Sequence, residues 1–189
     1  MCFSLAVAHL LTLNEIFKKD LITIGSAGRI TPFKAFDQII KTLSEIKNTT
    51  DHKPFRLLIA GTAKTTHDQF YFDHLKKLVQ ELKLENEVTF LGHIENMQDY
   101  YAKIDVFIHA SIYPEPFGLV VAEAMAHGCL AIGCNQGGIS DFLINQKTGL
   151  SFSSTHQDSS NSLKEILAPI LKPTTSTTLY KEIAENGQQ

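Results

Sequence analysis

From residue 21 onward, short apolar runs alternate with longer stretches whose apolar residues recur every three or four positions. Leu21-Ile22-Thr23-Ile24-Gly25 is a β-rich run stopped by glycine. Phe36, Ile39, Ile40, Leu43 and Ile46 then mark one face of a helix predicted over Phe33 to Ile46. Phe55 to Ala60 reads as a second strand, ended by Gly61. Asp68 to Leu84 reads as a long amphipathic helix with Phe72, Leu75, Leu78, Val79 and Leu82 on one face. Further strands are predicted at Val88 to Leu91, Asp105 to Ile108, Leu130 to Cys134 and Gly149 to Phe152. Helices are predicted at Met97 to Lys103 and Gly118 to His127. From Gln157 onward the pattern is helical, interrupted at Pro169 and by a loop over Pro173 to Thr178.

Strands that are apolar throughout, rather than alternating, indicate burial on both faces, and the helices between them are the crossovers that parallel pairing requires. The predicted fold is a doubly wound parallel α/β sheet, Rossmann-like, in one domain over residues 21–189. Residues 1–20 form a leader of unclear role. With 189 residues the chain suits one such domain better than two. Apolar residues at 43% and charged residues at 20% are ordinary for a globular chain. The formal net charge of −3 argues against a nucleic-acid partner, which calls for a basic face. Three cysteines without a CxxC pair read as reduced, mostly buried thiols of a cytoplasmic protein. No apolar run reaches the ~18 residues of a membrane helix. The apolar segment from Met1 to Leu13 has no positive residue before it and no small-x-small cleavage site, so a structural remnant is expected rather than a signal peptide. The Ser/Thr-rich stretch Ser151 to Ser162 reads as a surface loop.

Ligands of such sheets bind beyond the carboxyl ends of the strands. There the most informative segment is Tyr113-Pro-Glu-Pro-Phe-Gly-Leu-Val-Val-Ala-Glu-Ala-Met-Ala-His-Gly128. Pro114 and Pro116 stiffen the backbone around Glu115. The amides of Phe117, Gly118, Leu119 and Val120 fall at a helix start, which attracts anions. Glu123, in a dense apolar helix, can accept two hydrogen bonds from a diol; an unpaired charge in that setting is costly. The residues alone leave both a ligand role and a solvated-charge role open for the two glutamates. After the first strand, Gly28, Arg29 and Lys34 offer close backbone approach, a planar fork and a point charge for a diphosphate. Gln136-Gly137-Gly138 permits a tight turn at the same edge, packed on a ligand or forming an ordinary strand-to-helix connection. Gly92, His93 and Ile94 are a candidate wall for a base. His109 ends a strand and reads as strand-end packing in preference to a catalytic base. There is no Asp-x-Asp, HExxH, GxSxG or Walker loop, and no metal site is predicted.

Taken in order, Gly28-Arg29-x4-Lys34, Leu58-Ile-Ala-Gly61, Val88-Thr-Phe-Leu-Gly92, Asp105-Val-Phe-Ile108 and Glu115-Pro-Phe-Gly-Leu-x3-Glu123-Ala-Met-Ala-x-Gly128 resemble the C-terminal domain of family-4 (group 1) glycosyltransferases of the GT-B architecture. The resemblance runs from about residue 21 to 187. It implies retaining, metal-independent transfer from a UDP-, GDP- or ADP-sugar with no cofactor. Arg29 and Lys34 would bind the donor diphosphate, Glu115 the sugar hydroxyls and Glu123 the ribose, while the Phe117 to Val120 amides would line the sugar–phosphate region. Ala35 stands where the family usually has glycine. The hinge segment and N-terminal Rossmann domain usually found upstream, and the last crossing helix downstream, are not evident. An N-terminal acceptor-binding domain or subunit outside this chain is therefore expected, in the cytoplasm or peripherally at a membrane through that half. The rival readings are a non-catalytic nucleotide-sugar-binding module that needs a partner chain, and a nucleotide-sugar epimerase of the same architecture.

Overall fold

A computed structural model of the protein describes residues 20–152, 163–174 and 178–189; the expectations for the leader, and for residues 153–162 of the Ser/Thr-rich stretch, lie outside the described residues. Six strands form one sheet: β1 Ile22–Ala27, β2 Phe55–Ala60, β3 Val88–Gly92, β4 Val106–His109, β5 Leu130–Cys134 and β6 Leu150–Phe152. Their order is β3-β2-β1-β4-β5-β6 and every pairing is parallel. The crossovers carry the helices α1 Phe36–Lys47, α2 Thr66–Glu81, α3 Met97–Tyr101 and α4 Leu119–Ala126, and the chain continues after β6 with α5 Leu163–Leu171 and α6 Thr178–Gln188.

Residues of β1, β4 and β5 are buried along their whole length, as expected for central strands covered on both faces. The edge strand β3 differs: Thr89 and Leu91 are exposed. Alternate residues feed two cores. Val106, Ile108, Leu130 and Ile132 join Ile39, Ile40 and Leu43 of α1, Leu75 of α2, and Leu167 and Leu171 of α5. Phe107 and Ala131 face the other way, onto Tyr100 and Tyr101 of α3 and Val121 and Ala124 of α4. That second layer sits close to the sheet, since a methyl group on Gly25 would lie 2.7 Å from the Ile104 side chain. Cys129 and Cys134 are buried within these cores.

Two predicted elements differ in detail. The helix expected over Phe33 to Ile46 is divided. Pro32–Lys34 forms a 3-10 turn, Ala35 adopts the left-handed conformation at φ 48°, and α1 starts only at Phe36. Left-handed backbone costs a residue with a Cβ about 1–2 kcal/mol, and burial of the Ala35 methyl in the main core offsets part of that. Pro169, expected to interrupt the C-terminal helix, lies inside α5. Its ring forgoes one ladder hydrogen bond, while Leu163, Leu167, Ile170 and Leu171 bury the helix face on the core and keep it continuous.

Candidate functional site

The chain leaves β1 toward β2 and leaves β4 toward β5, so a crevice opens between the carboxyl ends of these two neighbouring strands. Around it gather the turn after β1, the loop from His109 to Gly118, the start of α4 and the turn Gly92-His93-Ile94.

The first turn is folded by its own hydrogen bonds. Lys34 N donates to the Thr31 carbonyl and Ala35 N to that of Pro32, which tightens the 3-10 turn and fixes the direction in which Lys34 leaves it. Ile112 N and Ser111 Oγ both donate to the Phe33 carbonyl, at 2.9 and 3.2 Å, tying this turn to the loop after β4. Across that tie Lys34 Nζ meets Glu115 Oε1 at 2.5 Å. On the protein side of the same carboxylate, His109 Nε2 lies 3.5 Å from Oε1, its side chain only 2% exposed. The facing His109 ring and then the Lys34 ammonium outweigh the cost of burial and hold the Glu115 carboxyl at about 2. Lys34 and Glu115, with Arg29, Thr31, Phe33, Ser111, Tyr113 and Pro114, line a cleft of about 660 Å³.

A second cleft, of about 300 Å³, is lined by Gly28, Arg29, Gly61, Lys64, His93, Ile94, Val120 and Glu123 among others. Arg29 belongs to both, so the two clefts share a cationic wall. Its Nε lies 3.9 Å from Oδ2 of the buried Asp68, in the first turn of α2. Glu123 is oriented from below, where Tyr101 Oη donates to its Oε2 at 2.9 Å. Burial, and then the Glu123 carboxylate, push the Tyr101 phenol up. The loop carrying Glu115 is braced from β5: Gly138 N donates to the Glu115 carbonyl at 2.8 Å, and Gln136 Nε2 to that of Ser111 at 2.9 Å. A methyl group on Gly137 would lie 2.8 Å from Glu115 N. The glycine pair thus buttresses Glu115 from behind.

The structure therefore brings Arg29, Lys34 and Glu115 to one cleft and Arg29, Gly28, His93, Ile94, Val120 and Glu123 to its neighbour. Gly92, Phe117, Gly118 and Leu119 line neither; the Phe117 and Leu119 side chains are more than half exposed. The amides of Phe117, Gly118, Leu119 and Val120 donate to no described residue, which leaves the start of α4 open to an anion. His109, read from the sequence as strand-end packing, supports the site, as do Tyr101 and Asp68, which were not singled out for it. They lie 6, 22 and 39 positions from Glu115, Glu123 and Arg29, and no local spacing marks such pairs. Among the described residues, a further cleft of about 280 Å³ between β6 and the C-terminal helices offers one carboxylate, Glu165, and no cation. Among the described residues no group of three or more His, Cys, Asp or Glu is placed to hold a metal ion, and no helix is long and apolar enough to cross a membrane.

Strand order, crevice and charge pattern define the class: a doubly wound α/β domain with clefts at the sheet's switch point, walled by cations and carboxylates. The sequence profile described as glycosyl transferases group 1 matches residues 14–189, and the chain belongs to that family. The D-inositol 3-phosphate glycosyltransferase of Rhodococcus erythropolis is 34% identical over 131 residues, 68% of this chain and 29% of that enzyme. HepE of Anabaena, solved in complex with UDP and glucose, superposes with a TM-score of 0.78 at 25% identity, over 96% of this chain and 46% of its own. The C-terminal domain of the group 1 family protein LpcC from Francisella tularensis shares the fold, with a TM-score of 0.71 at 23% identity over 88% of this chain and 82% of its own. The chain thus corresponds to a C-terminal domain of the GT-B architecture and spans less than a third of the length of the curated relative.

Proposed function

We propose that this chain is the donor-binding half of a metal-independent, retaining glycosyltransferase that uses a nucleoside diphosphate sugar, an N-terminal acceptor-binding half completing the enzyme. The reading rests above all on the position of Arg29, which walls both clefts and joins the Lys34–Glu115 pair to Glu123. A diphosphate lying against Arg29 points its sugar into the larger cleft, toward Glu115, and its nucleoside into the smaller one, toward Glu123 and the His93-Ile94 wall. Glu115 then accepts from a sugar hydroxyl and Glu123 from the ribose. Each charged hydrogen bond of this kind contributes roughly 1.5–3 kcal/mol.

The chemistry asked of the residues is electrostatic. As the bond between the anomeric carbon and the diphosphate breaks, negative charge grows on the leaving oxygen. Arg29, Lys34 and the free amides at the start of α4 meet that charge without a metal ion. Lys34 is paired with Glu115, so an arriving diphosphate shares or takes over this cation. Binding of a nucleotide sugar to HepE, a relative with the same fold, supports the choice of donor class.

Calorimetric titration of the chain with UDP, GDP and ADP tests the reading. One of the three is expected to bind with measurable heat, and Arg29→Ala or Glu123→Ala to abolish it. Absence of heat from all three at millimolar concentration overturns the proposal.

A further inference from the structure

The two oxygens of Glu115 are not equivalent. Oε1 takes the Lys34 ammonium and faces the His109 ring, whereas no described residue donates to Oε2. His109 occupies the last position of β4, where Val106, Phe107 and Ile108 before it are apolar and fully buried. Its Nε2 is buried and makes no hydrogen bond of normal length with any described residue. Leaving such an atom without a partner carries a desolvation cost that an apolar residue at this strand end would avoid. What Nε2 faces is Oε1 of Glu115, 3.5 Å away. An ionised carboxylate has only lone pairs to offer, so the facing nitrogen must carry the hydrogen; the other tautomer would set two lone pairs against each other in a buried space.

We propose that His109 is a positioning residue of the sugar subsite: its Nε2–H and the Lys34 ammonium hold Glu115 by Oε1 from two sides, which leaves Oε2 as the acceptor turned to a hydroxyl of a pyranose donor sugar. The proposal rests on the assignment of Glu115 to the donor sugar. It also divides the labour between the two donors. Lys34 sits at the cleft surface, 18% exposed, and is within reach of an incoming diphosphate, whereas His109 is sealed beneath the loop. When the diphosphate draws Lys34 away, the imidazole remains and keeps the carboxylate from swinging into the cleft.

The test compares the nucleoside diphosphate with its glucose ester on the full chain: UDP against UDP-glucose, GDP against GDP-glucose and ADP against ADP-glucose, by calorimetry. His109→Phe is expected to weaken the glucose ester about tenfold more than the bare diphosphate, which corresponds to about 1.4 kcal/mol. His109→Gln, which keeps an N–H at similar reach, is expected to restore most of that difference. Equal weakening of both ligands, or of neither, overturns the proposal. A second measurement needs no variant of His109 to fold or to bind. In the ¹⁵N spectrum of the imidazoles of the ligand-free chain, the His109 Nε2 is expected to carry hydrogen and to shift in Glu115→Gln. A bare Nε2, or one indifferent to Glu115, defeats the contact itself. Should the wild-type chain bind none of the six compounds, the donor-site reading falls and the subsite role with it, while the imidazole spectrum still decides whether His109 holds Glu115.

Discussion

Glu115 faces the His109 ring and the Lys34 ammonium, and these two neighbours, His109 foremost, hold its carboxyl at about 2. A carboxyl lowered in the folded state stabilises the fold fully above its unfolded value, 4.5. That contribution is lost as the pH falls through this value toward about 2. Glu115→Gln is therefore expected to flatten the acid limb of stability between about pH 5 and pH 2, read from urea midpoints at successive pH values. A variant that loses stability over this range as steeply as the wild type would rule out the depressed carboxyl. Among the described residues the second glutamate has a single holder, Tyr101. One hydroxyl, buried and unable to ionise readily, holds Glu123 Oε2 at 2.9 Å and leaves the rest of the carboxylate toward the cleft.

The element that most constrains the site is α4, whose start is shaped by one residue. Gly118 precedes it at φ 81°, and a methyl group there would lie 2.9 Å from Ile139 Cδ1. Gly118→Ala is expected to lose about 1–2 kcal/mol from left-handed strain and about 1–3 kcal/mol from crowding, measured by chemical denaturation. Nucleoside diphosphate binding should weaken with it, because the amides of the first turn shift. A loss below about 0.5 kcal/mol, the range of ordinary surface changes, would show that the start of α4 is not so constrained. The turn at Pro32–Lys34 plays the corresponding part on the other side of the crevice. Its break at Ala35 was hidden in the sequence, since Phe33 and Phe36 continue the helical apolar pattern and only the backbone shows the left-handed residue between them.

Across the whole molecule, the second core links the sheet to the site. Phe107, at the centre of β4, packs edge-on against Tyr101 at 5.7 Å between ring centroids, and Tyr101 in turn holds Glu123. Phe107→Ala is expected to cost about 3–5 kcal/mol in a urea titration, and to weaken binding of the bare nucleoside diphosphate as Tyr101 settles into the void. Stability within about 1 kcal/mol of the wild type, with binding intact, would mean that the second layer carries the site independently of the sheet. The first core, built on Ile22, Ile24, Leu57 and Ile108 with α1 and α2, lies on the opposite face and fixes the strand order on which the crevice depends.

Apolar runs such as Val106 to Ile108 and Leu130 to Cys134, and helical repeats such as Phe36 to Ile46, were enough to determine a parallel sheet with crossover helices. Burial on both faces and a helical period leave direct marks on neighbouring positions. Lys34 and the two glutamates could be picked out as candidates for a similar reason: stiff prolines, glycines and charges lie within a few residues of one another. Tertiary structure alone decided that Arg29 walls both clefts, that Lys34 pairs with Glu115, that His109 lies beneath that pair and that Gly137 braces it from behind. These contacts join loops from different strands, and their distances depend on strand order and register, which no stretch of the chain encodes by itself.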